Sequence, residues 1–535
     1  MSSADAMSWY GASLPDRPSR AVLQGRQQAR VCVVGGGLAG LNTAVGLAER
    51  GVGDVVLLEA GRVGHGASGR NGGFVFGGFS RGEDALLREL GPTRARALYR
   101  GTLDAVELIR NRIRRHAIDC DPVEAGVIWA NWFRDPDILL ARQQMLAEHY
   151  GVDWEWLSQA ELRSLLHTSR YSDALFERQG FHFHPLKYVE GLARLAASTG
   201  VVVHEHSPAI GLERTGSHWR VRTAAGEVEA EQVVLACGGY LAGLRSNVDA
   251  GVMPIATYVM VTEPLGARMD GVMSTQAAVY DTRFAFDYYR PLPDDRLLWG
   301  GRISVRDRSP EAVKRLLYRD MLKVFPQLDG VEIDYAWSGL MSYARHQMPQ
   351  IGQIEDGLWL AQAFGGHGVA PTTFAGEVVA SAIAEGDTRW REFSDYGLVS
   401  ALKPAGFIGA QLSYWWAEAK DAWKAASERN QPPGERLSER IQPRSEDGRP
   451  SDFGSRPKPL LQRHRTWMAR HMMCLAPGAA TTPRILPQRP CRCRCTSSPC
   501  RTSDAAGAGR ARSSRYAPRR SRRAGGRARW HHPAD

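Results

Sequence analysis

Three glycines, Gly35, Gly37 and Gly40, satisfy G-x-G-x-x-G, a spacing that lets the backbone turn tightly and bring its N–H groups against a pyrophosphate. Leu38 and Ala39 stand between the second and third glycine, where the first turn of a helix would carry them. Glu59, followed by Ala60, comes about 20 positions later, the distance at which an acidic side chain meets the hydroxyls of a ribose. A glycine turn without a ligand has the same spacing. The apolar run before it, the helical stretch after it and the acid beyond it together favour a dinucleotide.

A second glycine-rich stretch, GASGRNGG, covers residues 66–73. Ser68 offers a hydroxyl and Arg70 a cation suited to phosphate, while Asn71, Gly72 and Gly73 let the chain pass close to a flat ring. A third, AFGGHG at residues 363–368, precedes a helical stretch, so the backbone around Gly366, His367 and Gly368 would present the positive end of a helix dipole. Two roles fit His367, a contact to the ligand or a hydrogen-bonded loop histidine. His182 and His184 in FHFHPL lack companions at metal-ligand spacing, so a turn capped by Pro185 suits them better and no metal is expected.

The elements that must position these residues read as α/β. From residue 29 the chain runs VCVV, glycine turn, LNTAVGLAER and VVLLE, the βαβ order of a Rossmann-type unit. Strand-like runs recur near 201, 219 and 233, and helical stretches at 84–116 and 187–199. Between 251 and 335 longer segments such as YVMVTEPL and RLLWGGRIS predict an antiparallel sheet in a second domain, before strand, glycine turn and helix return at 358–386. The expected fold class is α/β (α+β overall), with a discontinuous nucleotide domain in three parts, 29–82, 171–245 and 336–428. An extension, 1–28, precedes it; a helical segment, 83–170, and a second domain with a mixed or antiparallel sheet, 246–335, interrupt it; a basic tail, 429–535, follows.

The net charge of +11 is not spread evenly. Residues 431–535 hold 23 Lys and Arg against 7 Asp and Glu, leaving 45 basic and 50 acidic residues before them, so the folding part is mildly acidic and no nucleic-acid partner is expected. The tail is rich in Arg, Pro, Ser and Gly, cannot bury enough apolar surface to offset chain entropy, and is expected to be disordered, as an out-of-frame extension of a GC-rich gene would be. Cys32, Cys120 and Cys237 are too widely spaced for a disulfide framework. No basic start leads into an apolar stretch, and no apolar run approaches the roughly 20 residues of a membrane span, so a cytoplasmic location is expected.

Taken together, GASGRNGG after the first βαβ unit, FHFHPL, FDYYRPLPDDRLLWGGR, VFPQLDGVEIDYAWSG and GGHG resemble the FAD-dependent D-amino-acid-oxidase superfamily, and within it the bacterial γ-glutamylputrescine oxidase group, over residues 9–425. The resemblance implies a Rossmann-type FAD domain and a substrate domain. It also implies oxidation of a primary amine to an aldehyde, with release of ammonia and, with molecular oxygen as acceptor, hydrogen peroxide. An amine or D-amino-acid dehydrogenase acting on glycine- or sarcosine-type substrates with another electron acceptor is the alternative. It further implies that Ala209 meets the adenine, that Ala236 and Gly238 lie near the phosphates, and that Gly366, His367 and Gly368 face the pyrimidine end of the flavin. Amino-acid-oxidising relatives carry a carboxylate-clamping arginine where this chain has Met341 in WSGLMSYARHQMPQIG, which moves the expected substrate toward an amine without an adjacent carboxylate; Arg345 could supply a displaced clamp. Tyr258, Tyr288, Tyr289 and Trp299 are candidates for an aromatic pocket wall, although aromatics as often fill cores. Tyr258, Tyr288, His367 and Arg345 are the expected substrate-side residues. With no cysteine between Cys237 and Cys474, the FAD is expected to be non-covalent. The oligomeric state is not legible.

Overall fold

The computed structural model describes residues 8–429; the tail to which disorder was assigned lies outside them. Strand Gly25–Val34 is the centre of the first sheet because its second half, Val31 to Val34, is apolar on both faces and buried on both. It runs parallel to Val55–Leu58 on one side and Gly226–Leu235 on the other. Val202–His204 and Leu358–Gln362 extend the sheet in parallel, and Gln350–Glu355 and the strands Gly211–Thr215 and His218–Arg222 add antiparallel pairings.

Helix Leu38–Glu49 follows the first strand and packs on helix Val369–Glu385 through small residues. A Cβ on Gly46 would stand 2.9 Å from that of Ala380, and one on Gly376 only 2.6 Å from that of Asn42, so these two helices approach to backbone contact. Arg112, buried on the long helical segment Glu83–Arg115, ties the pair together by bonding Glu49 and Glu377, each at 2.6 Å, and Asn42 at 2.7 Å. The long segment is two helices joined across a kink at Gly91 (φ 75°), before Pro92, where the single stretch 84–116 was expected.

The second sheet is mixed. Its order is Ile333–Tyr343, Met253–Thr262, Leu297–Ser304, Tyr288–Pro291, Ala278–Asp281, Val127–Ala130, Ala174–Glu177 and Glu155–Leu157, all antiparallel neighbours except Ala278–Asp281 with Val127–Ala130. Ala174–Glu177 and Ile333–Tyr343 fall in stretches expected to serve the nucleotide domain, yet they pair here. A short apolar run records that a strand forms and not which strand it joins. One face of this sheet is covered by helix Pro310–Val324, whose Val313, Leu317, Met321 and Val324 bury Met260, Tyr289 and Trp299. The other face looks toward the first domain. No helix among the described residues is long and apolar enough to cross a membrane.

Candidate functional site

The first glycine loop closes on itself so tightly that only glycine fits. Gly35 has φ 115°, and a Cβ there would lie 2.6 Å from the Ala236 carbonyl oxygen; on Gly40 it would lie 1.9 Å from that of Gly35. Gly37 caps helix Leu38–Glu49, and the Leu38 N–H donates to Ser68 Oγ at 2.9 Å. The glycine loop and GASGRNGG are thus brought together at a helix N-terminus, the arrangement that receives a pyrophosphate. Ala39 is buried in that first turn, and Ala236 borders the same loop, its N–H bonding Val34 O at 2.8 Å; Gly238, two residues on, begins the turn Gly238–Tyr240, with Ser342 Oγ 3.6 Å from where its Cβ would stand.

Glu59 departs from the simple ribose role. One carboxylate oxygen accepts from Gly36 N at 2.7 Å and the other from Gly61 N at 2.8 Å, so the acid also holds the glycine loop in shape. Burial pushes its pKa up while the two amides pull it down. Each oxygen keeps a lone pair for a hydroxyl. Ala60 is exposed beside it, and Ala209 is half-buried against the core under this sheet.

In the second loop three consecutive carbonyls are held from outside. The Trp337 indole donates to Arg70 O at 2.9 Å, the Tyr10 hydroxyl to Asn71 O at 2.9 Å, and Arg290 Nε to Gly72 O at 2.7 Å. Arg290, buried, also donates to Phe183 O at 2.9 Å and the Tyr10 hydroxyl at 3.2 Å. Asn71 braces the loop internally, its amide donating to Ala67 O and Ser68 O and its oxygen accepting from Gly73 N. Gly73 has φ 81°, and a Cβ there would strike Phe183 O at 2.1 Å. A side chain at Gly35, Gly37 or Gly73 would fill the cradle, so the residues present fit a dinucleotide bearing a flat ring. Sequence patterns flagged the loop; the clamp of Tyr10, Arg290 and Trp337 went unseen because its members lie far apart in the chain.

The third loop is braced to residues 76–80. The His367 N–H donates to Ser80 Oγ at 3.2 Å and the Gly365 N–H to Ser342 O at 2.7 Å. Gly366 stands against Tyr343 and Met341, and Gly368 caps helix Val369–Glu385. The His367 ring sits edge-on to Phe76 at 4.4 Å, its Nε2 lies 3.4 Å from Phe76 O, and desolvation lowers its pKa, so it is neutral at pH 7. These contacts fit the hydrogen-bonded loop histidine, one of the two roles open to His367.

The aromatic wall differs from the expected one. Tyr288 faces the second glycine loop, its ring 2.6 Å from where a Gly72 Cβ would be and edge-on to Phe74 at 5.5 Å. Tyr258, Tyr289 and Trp299 are on the opposite face. Tyr258 is buried under helix Pro310–Val324 with its hydroxyl on Arg306 O at 2.6 Å, and Tyr289 stacks on Trp299 at 4.5 Å. Alternation along each strand decides this, and aromatic spacing alone does not reveal the parity. The side chains that join Tyr288 are Phe74, Phe76, Trp129, Tyr280 and Phe286, with Phe76 stacked on Tyr280 at 5.5 Å.

Arg345 is likewise not at the wall; it is exposed in the turn after Ile333–Tyr343. A half-buried cation beside the wall, Arg142, is otherwise engaged. Arg142 lies over the rings of Trp129 and Trp154 at 4.9 and 5.0 Å and pairs with Glu83 at 2.9 Å. Beside it Glu177 shares the face of Trp129 and Tyr280, and burial pushes its carboxyl up to about 8. His182 and His184 are structural: His182 bonds Gln276 O at 2.8 Å, and His184 caps helix Pro185–Ser198 by accepting from Lys187 N at 3.1 Å.

The chain is similar in sequence and in fold to known proteins. The gamma-glutamylputrescine oxidoreductase of Escherichia coli K12 is 36% identical over 392 residues, covering 72% of this chain and 91% of that protein. An oxidoreductase of Haemophilus influenzae named OrdL is 34% identical over 369 residues, covering 68% and 84%. The crystal structure of glycine oxidase from Geobacillus kaustophilus superposes with a TM-score of 0.59 at 22% identity, covering 70% of this chain and 99% of that one, a likeness of fold. Residues 30–382 match the family model described as FAD dependent oxidoreductase, a span that takes in all three loops, and the chain belongs to that family of flavoenzymes.

Proposed function

We propose that this flavoenzyme oxidises a primary amine of γ-glutamylputrescine type to the aldehyde, releasing ammonia, with molecular oxygen as acceptor and hydrogen peroxide as product. The observation that carries this reading is Met341. It lies on the flavin-facing side of Ile333–Tyr343, its sulfur 3.6 Å from where a Gly366 Cβ would stand, at the position of the carboxylate clamp in amino-acid-oxidising relatives. A thioether cannot replace a bidentate guanidinium. Neither Arg345, exposed, nor Arg142, paired with Glu83, takes its place. The 36% identity to the E. coli gamma-glutamylputrescine oxidoreductase supports the same substrate class.

FAD, held non-covalently by the glycine loop, Ser68, the braced GASGRNGG loop and the Gly366–Gly368 turn, supplies the two-electron chemistry. The protein positions the substrate. Phe74, Phe76, Tyr280 and Tyr288 form an aromatic surface that would receive the alkyl chain of an amine and keep water from the reacting bond. Neutral His367 adds no positive charge that would repel the amine. The test is peroxide formation and oxygen uptake with γ-glutamylputrescine, putrescine, glycine, sarcosine and D-alanine. Turnover should be fastest with γ-glutamylputrescine, and Met341→Arg should shift the ratio toward glycine about tenfold. Activity confined to glycine or D-alanine would overturn the substrate; flavin reduction without oxygen uptake would overturn the acceptor.

A further inference from the structure

Helix Ala405–Arg429 has its apolar side outward. The residues that face the second sheet are polar and bonded. Gln411 Oε1 accepts from Ser304 Oγ at 3.0 Å and Val305 N at 3.2 Å, and Glu418 pairs with Arg302 at 3.1 Å. Asp421 accepts from Phe284 N at 2.7 Å, Lys424 pairs with Asp135 at 2.9 Å, and Glu428 accepts from Arg134 N at 2.8 Å. On the opposite side Ile408, Leu412, Trp415, Trp416 and Trp423 are 66%, 52%, 59%, 58% and 74% exposed. Steps of three and four residues align them in one stripe. A helix that only completed a globular fold would be ordered the other way, its apolar stripe against the core.

We propose that this face docks on an anionic lipid surface, the helix lying in the boundary between headgroups and acyl chains. Three of the five stripe residues are tryptophan, whose apolar ring and single N–H donor suit that boundary. Charge is sorted to match. All three carboxylates of the helix, Glu418, Asp421 and Glu428, are bonded inward, so the outward side carries Lys420 and no negative group. The chain continues from the helix into residues 431–535, which hold 23 basic and 7 acidic residues, a second attraction to an anionic surface. Two further aromatics are exposed beside the helix, on its inward side. Phe284, 46% exposed, packs on Tyr414 at 5.9 Å, and Phe286, 38% exposed, meets Tyr280 of the aromatic wall at 5.7 Å.

Sedimentation of the full-length, FAD-loaded protein with vesicles tests this, using phosphatidylcholine alone and phosphatidylcholine mixed with phosphatidylglycerol. The wild type should bind the mixed vesicles. The variant carrying Trp415→Ser, Trp416→Ser and Trp423→Ser should bind them at least about tenfold more weakly, with flavin content and turnover in solution unchanged, since these side chains support no core. Equal binding by wild type and variant would overturn the proposal by assigning the attraction to charge alone. A wild type that ignores both vesicles would overturn it, as would tryptophan-dependent self-association without vesicle binding, which would give the face to a second copy of the chain.

Discussion

The nucleotide cradle and the aromatic wall meet where Tyr288 packs on the second loop, and they are built by opposite means. The cradle is made of backbone: glycines where a Cβ would collide at 1.9–2.6 Å, amides at a helix start, and carbonyls held from behind. The wall is made of side chains delivered by strands from residues 74 to 288. Backbone recognition demands glycine at fixed, local spacing, so a single added carbon should be ruinous; side-chain recognition is spread over many residues, so any one loss should be partial.

The largest expected effect is therefore at Gly40. Gly40→Ala puts a Cβ 1.9 Å from Gly35 O, and the purified protein should carry almost no FAD, an affinity loss of at least about 100-fold measured by flavin absorbance after dialysis. Retained flavin would break the claim that the cradle is rigid. Next is Arg290→Met, which leaves the Gly72 and Phe183 carbonyls without their donor and should lower stability by about 3 kcal/mol in chemical denaturation, with weaker FAD binding.

Glu177 sharpens the comparison from the wall side. Its carboxyl is held at about 8 in the folded protein against 4.5 for the ordinary group. The folded state therefore binds a proton that the unfolded state has lost between those values, and the stabilisation present below about pH 4.5 is lost as pH rises through about 8. Unfolding free energy from chemical denaturation should fall over that range by an amount on the order of 5 kcal/mol, and Glu177→Gln should flatten this part of the profile. An unchanged profile would show that another group sets it.

The smallest effects separate the two faces of the second sheet. Tyr288→Ala opens the wall and should raise KM about tenfold with a smaller change in kcat. Tyr258→Phe removes only a buried hydrogen bond to Arg306 O, costing about 1 kcal/mol of stability and leaving turnover within about twofold. Equal kinetic damage from both would contradict the assignment of the faces.

The same contrast explains what could be read from the sequence. The turns at Gly35, Gly37, Gly40, Ser68 and Gly73 were legible because they follow from local backbone geometry, and VCVV and VVLLE already marked the strands on either side of the first. Tyr258 was misplaced and Tyr280 missed because a strand's register decides which of two alternating residues faces the cleft; in YYRP only the first tyrosine does. Arg290 read as an ordinary strand residue, since its partners, Tyr10, Gly72 and Phe183, are brought to it by three distant segments. Met341 was informative because one position carries a chemical choice between guanidinium and thioether, and its place beside Gly366 gave that choice a location.

The central claim, an FAD enzyme for amines and not amino acids, is tested most directly by anaerobic mixing of the purified protein with candidate substrates while the flavin absorbance is followed. This reads the substrate half-reaction without involving the acceptor. γ-Glutamylputrescine should bleach the flavin at least about tenfold faster than glycine, sarcosine or D-alanine at equal concentration. Faster bleaching by any of those three amino acids would contradict the account.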